Sequence, residues 1–209
     1  MAAVGTVEFW DTFHARKDTE WYLPVDVVVR EVRQNPALPL HLIFVAQVLR
    51  VQAELIRLSP PAGEPIGDEA RAYPRILHPG CGSSTLGVVL QREHGCHVVN
   101  ADFSKGLVDS MSSRFPGCDF VVSNARRTGF PNGSFDLAVD KGLFDSVTAK
   151  TVGRLEAAKE FLGEAARVLS PGGKYMMFSA FSNDGLGHKD MEEMLAHSGF
   201  GGEVQARNG

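Results

Sequence analysis

The sequence predicts an α/β fold, in which a doubly wound, mostly parallel sheet follows a helical N-terminal leader. From Arg75 onward, short apolar runs alternate with helical patterns, which is typical of parallel strands covered by helices on both faces. The segment 59–74 is rich in proline and glycine, which indicates a loop. We therefore predict a helical leader with its loop over residues 1–74 and an α/β core over residues 75–209.

The predicted elements follow in chain order. Helices of the leader are predicted at 5–16, 25–34 and 41–58. Strands of the core are predicted at 75–79, 97–101, 119–123, 135–140 and 174–181. Helices of the core are predicted at 84–94, 104–114 and 154–168, and a helix at 188–198 and a short strand near 203–207 follow them.

Composition and charge narrow the class of protein. The chain has 209 residues, enough for one domain of ordinary size with its own core. Its 21 basic and 25 acidic residues give a formal charge of −4 and form no long basic run, so we expect no nucleic-acid partner. The cysteines Cys81, Cys96 and Cys118 show no C-x-x-C spacing, which argues against a disulfide framework or a zinc ribbon and favours a reducing compartment.

The first residues and the apolar stretches bear on location. Residues 1–21 show neither the apolar core of a secretory signal nor the acid-free character of a transit peptide. The longest apolar stretch, 40–58, is interrupted by polar residues and is therefore interpreted as an amphipathic helix and not as a membrane span. A cytoplasmic protein without a membrane partner is expected.

Residues just after each predicted strand are the ones able to contact a ligand, because ligands of doubly wound folds bind beyond the carboxyl ends of the strands. After the first strand stand Gly80, Cys81 and Gly82, where missing side chains let a ligand approach the backbone. After the second strand stands Asp102, twenty positions beyond Gly82, where a carboxylate can accept both hydroxyls of a ribose. These two strand ends together favour a ligand that contains a ribose.

Two further strand ends carry polar residues. The third predicted strand is followed by Asn124 and Ala125, which can offer an amide and a backbone N–H to the edge of a base, and the fourth is followed by the stretch 140–146. Taken singly, each signal is weak, because a G-x-G turn is a common connection and Asp102 or Ser104 could be a helix cap. Together they occupy four successive strand ends, which favours a binding site.

A missing third glycine decides between two ligands. The dinucleotide fingerprint G-x-G-x-x-G requires glycine at position 85, where the chain has Thr85. A G-x-G turn with an acid for the ribose and no room for a pyrophosphate fits S-adenosylmethionine better. His78, two residues before Gly80, is interpreted as a filler of the strand end and not as a catalytic base.

Several segments share motifs with one known family. They are VEFWDTFHARKDTEWY (7–22), ILHPGCGSSTLG (76–87), NADFS (100–104), FPNGSFDLAVDKGLFDSV (130–147) and EAARVLSPGGKY (164–175). The chain thereby resembles the seven-strand, Rossmann-like S-adenosylmethionine-dependent methyltransferases. It resembles in particular the eukaryotic group that contains the lysine methyltransferases of translation elongation factor one alpha and of mitochondrial citrate synthase. The resemblance covers nearly the whole chain, and the Asp-Lys-Gly motif is its most specific part.

The resemblance implies a cofactor site built from the leader and from the four strand ends. The residues that it implies as cofactor contacts are Trp10, Trp21, Gly80, Cys81, Gly82, Asp102, Phe103, Asn124, Ala125, Asp140, Lys141 and Gly142. The two tryptophans would close over S-adenosylmethionine, the glycine turn would line its methionine side, and the acid after the second strand would take its ribose. Two alternatives stay open: the tryptophans are core aromatics, and Asp140 and Lys141 form a solvated loop pair.

The chain departs from the pattern of this group at several positions. Ser83 replaces the usual Asn, Asn124 replaces the usual Asp, and Leu143-Phe144 replace the usual Thr-Leu. Because Asn124 removes a charge, a modest cofactor affinity is expected. No antiparallel seventh strand is evident after the strand near 203–207, so we expect either a sheet without its last strand or a fragment.

The expected chemistry is an in-line displacement of a methyl group from a sulfonium, which requires a correctly held nucleophile and no metal. If the nucleophile is lysine, its amine must lose a proton, which costs about 4 kcal/mol at neutral pH. We predict that Asp140 and Asp145 position the amine and that Phe144, Trp21 and Tyr22 supply an apolar wall that lowers this cost. A core position is the alternative for Phe144.

Three functions stay open on the sequence alone. The first is a methyltransferase that acts on a lysine or N-terminal amine of a protein partner and releases S-adenosylhomocysteine. The second is a small-molecule methyltransferase of the same fold, and the third is a non-catalytic module that binds S-adenosylmethionine or a partner. Because function depends on sites and not on folds, the resemblance does not transfer a particular substrate.

Overall fold

The computed structural model describes residues 74–148 and 154–178. Several sequence-based predictions lie outside these residues and stay predictions. They are the three leader helices, the helix at 188–198, the strand near 203–207, and the roles of Trp10, Trp21 and Tyr22.

Strands and helices alternate within the described residues. The strands are β1 (Arg75–Pro79), β2 (His97–Asp102), β3 (Asp119–Val122), β4 (Phe135–Lys141) and β5 (Leu169–Phe178). The helices are α1 (Leu86–His94), α2 (Lys105–Arg114), α3 (Leu143–Thr148) and α4 (Arg154–Val168). The predicted alternation of strands and helices is confirmed, and α4 has the predicted bounds.

The described strands form one parallel sheet with the order β3-β2-β1-β4-β5. The chain runs outward from β1 to β3 and then returns to the other side of β1 for β4 and β5, which is the predicted doubly wound arrangement. Helices α1 and α2 pack along β2 and β3, whereas α3 and α4 pack along β4 and β5. The order of the strands reverses between β1 and β4, so the carboxyl ends of these two strands are where a ligand crevice is expected.

Two elements differ from the prediction. Residues 143–148 form helix α3, where the sequence predicted only a polar motif after the strand. β5 begins at Leu169 and not at 174, because Leu169 pairs with Phe135 before the register shifts and Lys174 pairs with Leu137. Pro171, Gly172 and Gly173 lie between these two pairs and are residue types typical of a turn. The structure accommodates them as a bulge in the strand, with φ of 80° at Gly172.

The start of α2 settles which residue caps it. Ser104 has extended backbone angles and its hydroxyl accepts the N–H of Leu107 at 3.3 Å. Ser104 therefore holds the N-cap position. The sequence left Asp102 and Ser104 open as caps, and the structure decides for Ser104.

Two apolar clusters lie within the described core. One lies under the strands and contains Leu77, Ala101, Phe135, Ala138, Val168 and Leu169. The other lies between α3 and α4 and contains Phe144, Ala158, Phe161 and Leu162. Tyr175 of β5 packs against both clusters. The sheet and the two later helices are thereby joined beneath the carboxyl ends of β4 and β5.

The remaining features concern cysteines, metals and membranes. Cys81, Cys96 and Cys118 are free. Within 74–148 and 154–178, His, Cys, Asp and Glu side chains do not gather in threes as a metal site would require. No helix in these ranges is long and apolar enough to cross a membrane.

Candidate active site

The glycine turn after β1 is fixed by its backbone and by a neighbouring side chain. Gly80 and Gly82 have φ of 57° and 53°, a region that side chains rarely allow. A Cβ added to Gly80 would lie 2.6 Å from Cδ1 of Leu143. The backbone N–H of Cys81 donates to the carbonyl of Ala101 at 3.0 Å and fastens the turn to β2. Glycine at position 80 is thus required by both conformation and packing.

Cys81 lies inside this turn and is buried. Burial raises the pKa of the Cys81 thiol well above its usual range, and the nearby charge of Asp102 raises it further. The thiol therefore stays neutral at physiological pH, and Cys81 contributes to the turn through its backbone.

Asp102 stands at the end of β2 and is 5% exposed. Its Oδ2 accepts the N–H of Gly82 at 3.0 Å, and its Oδ1 accepts the N–H of Ser104 at 3.0 Å. Each carboxylate oxygen can accept more than one hydrogen bond, so these two bonds are compatible with a further donor such as a ribose hydroxyl. The carboxylate thus joins the glycine turn to the start of α2, in the position expected for a ribose acceptor.

The end of β3 lies directly beside Asp102. The N–H of Ser123 donates to the carbonyl of Asp102 at 2.8 Å. Asn124 is exposed and closes a tight turn, since its Oδ1 accepts the N–H of Arg126 at 2.9 Å and its carbonyl accepts the N–H of Arg127 at 2.9 Å. Phe103 and Ala125 are half-buried on either side of this junction. The structure therefore brings together the residues predicted to contact the ribose and the base.

Asp140 occupies the end of β4 and is wholly buried. Its Oδ1 accepts the N–H of Leu143 at 2.8 Å, and its Oδ2 accepts the N–H of Phe144 at 3.0 Å. Oδ2 also accepts the hydroxyl of Tyr175 at 2.7 Å. The alternative in which Asp140 belongs to a solvated loop pair is therefore wrong, because Asp140 is buried and binds the first turn of α3. A direct contact between Asp140 and an acceptor amine stays a prediction.

The ionisation of Asp140 reflects this burial. Burial raises the pKa of Asp140 to about 7, and the charge of Asp145 acts in the same direction. The hydrogen bonds from Tyr175, Leu143 and Phe144 lower the pKa and so oppose the effect of burial. The carboxyl group therefore titrates near neutral pH, although its hydrogen bonds are those of an ionised acid.

The neighbours of Asp140 in the Asp-Lys-Gly motif take different positions. Phe144 is wholly buried in the cluster between α3 and α4. The structure therefore assigns it to the core, and the prediction that Phe144 forms a wall of the acceptor site is wrong. Asp145 lies half-buried in the first turn of α3. Lys141 and Gly142 are half-buried after β4, and Gly142 has φ of 79°. The roles of Asp145, Lys141 and Gly142 as contacts of the cofactor or acceptor stay predictions.

His78 is confirmed as a filler of the end of β1. It is 1% exposed, and its Nδ1 lies 3.1 Å from Oδ1 of Asn100. Burial, together with the charge of Lys141, lowers the pKa of His78 to about 4, although the hydrogen bond to Asn100 acts in the opposite direction. Asn100 donates its amide to the carbonyl of Asp119 at 3.2 Å, which leaves Oδ1 as the acceptor and places the imidazole proton on Nδ1. A neutral, buried imidazole held in this way is structural.

Sequence reasoning missed two residues that shape this edge, Leu143 and Tyr175. Leu143 lies against Gly80, and Tyr175 donates to Asp140. Leu143 carried a signal, because it stands where the family pattern usually has threonine. Tyr175 carried none, because the strand pairing of β4 with β5 is needed to see that it lies near Asp140.

A carboxylate clamp holds the loop that carries Asn124 and Ala125 onto α4. Oε1 of Glu164 accepts both the N–H and the hydroxyl of Thr128 at 2.7 Å, and it accepts Nη2 of Arg167 at 2.7 Å. Arg167 in turn donates to Oδ1 of Asn132 at 2.7 Å. The bonds from Arg167 and Thr128 lower the pKa of Glu164 to about 2, against the effect of burial. The clamp therefore favours the ionised acid.

Replacing Glu164 with glutamine is expected to lower the free energy of unfolding at pH 7 by about 1–2 kcal/mol. Because the folded-state pKa of Glu164 is depressed from 4.5 to about 2, its contribution is complete above pH 4.5 and is lost as the pH falls from there towards 2. Urea unfolding across this range measures the effect. Glu160→Gln is the matched control, since Glu160 lies on the same helix in an exposed pair with Arg126. Equal pH dependence in wild type and the Glu164 variant would contradict the assignment.

Comparison with known proteins defines the class to which this geometry belongs. Residues 77–177 match the model of a family described as a methyltransferase domain. The fold resembles the crystal structure of a TehB-like S-adenosylmethionine-dependent methyltransferase from Corynebacterium glutamicum, with a TM-score of 0.50 and 25% identity over 78% of this chain and 84% of that one. The described residues therefore have the Rossmann-like fold of this methyltransferase, and residues 77–177 are similar to a methyltransferase domain.

Two curated proteins narrow the comparison further. The eEF1A lysine and N-terminal methyltransferase of Danio rerio is 35% identical over 106 residues, which are 49% of this chain and 15% of that protein. The mitochondrial citrate synthase-lysine N-methyltransferase of Pongo abelii is 34% identical over 136 residues, which are 55% of each. The resemblance predicted from the motifs is thereby confirmed. The chain spans 15% and 55% of the lengths of these two relatives.

Proposed function

We propose that this chain is a methyltransferase that transfers the methyl group of S-adenosylmethionine to a lysine side chain or an N-terminal amine of a protein. The observation that carries the proposal is the junction at Asp102, where one buried carboxylate binds the glycine turn of β1 and the start of α2. The names of the relatives support the choice of a protein amine as acceptor, since both include lysine methyltransferase activity.

The described residues fit the cofactor in shape and in chemistry. The positive φ angles of Gly80 and Gly82 leave a stretch of backbone without side chains, beside which the methionine part would lie. Asp102 would accept the ribose hydroxyls, Phe103 would lie against the adenine, and Asn124 and the N–H of Ala125 would meet the edge of the base. Trp10 and Trp21 of the leader would cover the cofactor. When bound, S-adenosylmethionine supplies the methyl group on a positively charged sulfur.

The acceptor amine must be held behind the methyl group as a neutral nucleophile. Deprotonation of a lysine costs about 4 kcal/mol at neutral pH, and partial burial at the crevice lowers this cost. Of the two predicted acids, Asp145 is half-buried, whereas Asp140 is wholly buried and already accepts hydrogen bonds from Leu143, Phe144 and Tyr175. We therefore assign the orientation of the amine to Asp145, with Lys141 and Gly142 at the same edge.

Two measurements test the function in sequence. Isothermal calorimetry of the full chain with S-adenosylmethionine is expected to show binding with 1:1 stoichiometry, and absence of binding would overturn the proposal. Incubation with a cell extract and S-adenosylmethionine labelled on the methyl group is then expected to label a protein band on a gel. Label found only in the small-molecule fraction would favour a small-molecule acceptor, and binding without any label would favour a non-catalytic module.

Amino-acid analysis of the labelled band identifies the acceptor group. Methylated lysine or a methylated N-terminal residue is the expected product, and a methylated carboxyl or sulfur would contradict the amine assignment. The cytoplasmic location stays a prediction, which fluorescence microscopy of the tagged full chain tests.

A further inference from the structure

A series of contacts links β5 to the glycine turn at the other side of the crevice. The hydroxyl of Tyr175 donates to Asp140, and Asp140 accepts the N–H of Leu143. The Leu143 side chain lies so close to Gly80 that three of its carbon atoms would be within 2.9 Å of an added Cβ. These contacts therefore link the Gly80 turn, which follows β1, to the Tyr175 hydroxyl of β5, although β4 lies between these two strands.

The surroundings of Asp140 leave few groups that could replace Tyr175. The Tyr175 ring packs edge-on against Phe161 of α4, with 6.1 Å between the centroids, so its hydroxyl is directed by packing. The titratable groups that act on Asp140 are Tyr175 of β5 and Asp145 of α3. The α4 residues of the adjoining cluster, Ala158, Phe161 and Leu162, are uncharged. Within 74–148 and 154–178, Tyr175 is thus the side chain that hydrogen-bonds to this carboxylate.

We propose that Tyr175 is a positioning residue for methyl transfer: through Asp140 its hydroxyl holds the first turn of α3, so that Leu143 keeps the Gly80 turn in the shape that receives the cofactor. The role rests on the proposed function, because the turn matters only if S-adenosylmethionine binds there. Tyr175 itself touches neither cofactor nor acceptor in this assignment. Leu143 supplies the apolar contact with Gly80.

The ionised form of Asp140 is the form that this arrangement needs. A carboxylate can accept the two backbone N–H groups and the tyrosine hydroxyl together, whereas protonation adds an O–H and weakens that set of bonds. The hydrogen bond from Tyr175 favours the charged form. Removal of the hydroxyl is therefore expected to raise the pH at which Asp140 becomes protonated. The first turn of α3 should then loosen at a higher pH than in the wild type.

The decisive variant is Tyr175→Phe, which removes one oxygen atom and keeps the ring against Phe161. The matched control is Ser170→Ala. Ser170 lies on the same strand and donates to Asp136 of β4 at 3.1 Å, so the control removes a hydroxyl-to-carboxylate bond between the same two strands at their other end. Thermal unfolding of both variants checks that each remains folded.

The first readout requires no cofactor. Amide hydrogen exchange of Leu143 and Phe144 in the full chain, expressed as protection factors between pH 5.5 and 9, is expected to fall as the pH falls through about 7. In Tyr175→Phe the midpoint of this fall should move upward by about one pH unit, whereas Ser170→Ala should keep the wild-type midpoint. Asp140→Asn should abolish the pH dependence of protection, since asparagine does not titrate.

The second readout is the pH dependence of S-adenosylmethionine affinity in the same proteins. With an upward shift of one pH unit, the ionised fraction of Asp140 at pH 7 falls from about one half to about one tenth, so affinity should fall about fivefold in Tyr175→Phe alone. Unchanged midpoints in Tyr175→Phe would overturn the proposal, as would a uniform loss at every pH. A third outcome is a shifted midpoint of amide protection in Tyr175→Phe together with no S-adenosylmethionine binding by the wild type. That outcome would overturn the proposed function and the cofactor role of Tyr175, and it would establish the contacts from Tyr175 through Asp140 to α3.

Discussion

Asp102→Ala is expected to weaken S-adenosylmethionine binding by at least about 100-fold and to lower the melting temperature. The carboxylate accepts the N–H groups of Gly82 and Ser104, and a hydrogen bond to a charged group contributes about 1.5–3 kcal/mol. Alanine leaves both N–H groups without this acceptor at a buried position and removes the predicted partner of the ribose hydroxyls. The glycine turn and the start of α2 then lose the group that joins them.

Calorimetry and thermal unfolding measure the two effects of this substitution. Asp109→Ala is the matched control, because it removes the same charge from α2, where Asp109 makes an exposed ion pair with Lys105 at 2.6 Å. The control should change affinity less than about twofold. The affinity of Asp102→Asn should fall between those of Asp102→Ala and the control. The amide can accept one N–H through its oxygen but presents its NH2 group to the other N–H. Wild-type affinity in the alanine variant would contradict a cofactor role for Asp102.

Gly87→Ala is expected to destabilise the fold by about 2–4 kcal/mol, the largest effect that we expect from adding one methyl group here. A Cβ at position 87 would lie 1.8 Å from Oδ1 of Asn100. Asn100 cannot move without cost, because it is wholly buried and bonds to His78 and to the carbonyl of Asp119. The substitution therefore displaces α1 or breaks a buried polar network at the end of β1.

Gly106→Ala provides an internal control for this prediction. Gly106 is the second residue of α2 just as Gly87 is the second residue of α1, and nothing lies within 4 Å of the Cβ that alanine would add there. The control should be neutral or more stable by about 0.5–1 kcal/mol, because alanine favours helices more than glycine does. Urea unfolding of both variants measures the difference. Equal stability of the two would contradict the close packing of α1 against Asn100.

These two glycines also show why local pattern is an incomplete guide. In the sequence, Gly87 ends the ILHPGCGSSTLG motif and Gly106 lies in the first turn of the next predicted helix. Nothing nearby distinguishes the requirement for glycine at the two positions. The difference arises from Asn100, which lies on the strand that follows α1. Packing between elements therefore decides which glycine tolerates a side chain.

Much of the fold could be predicted because its signals are local. β1 and β4 have short apolar centres because most of their residues are buried in a parallel sheet. β1 is followed by glycine, and β4 ends in Asp140 and Lys141. Ser104 could be predicted as a candidate cap from its type and position alone. The start of β5 could not be predicted, because Pro171 and Gly172 are typical of a turn. Only the pairing of Leu169 with Phe135 shows that the strand begins before them.

Much of the candidate site could also be placed from the sequence, but the roles of some residues could not. Asp102, Asn124 and the glycine turn were predicted from strand ends, and the structure brings these strand ends together. Phe144 follows the strand that contains Asp140, and the sequence left its role open between the core and the acceptor wall. Its contacts with α4 decide for the core. Asp140 binds a tyrosine 35 residues later in the chain, which no motif around it reveals.

The sequence by itself determined the fold class, the order of the elements apart from α3, the turn that lacks a third glycine, and hence the predicted class of cofactor. These features depend on residue type, periodicity and spacing, which are properties of short segments. Only the tertiary structure decided that Asp140 is buried, that His78 is held by Asn100, and that Tyr175 acts on α3. Burial and hydrogen-bond partners depend on segments distant in the chain, and the pKa of each acid or base follows from them.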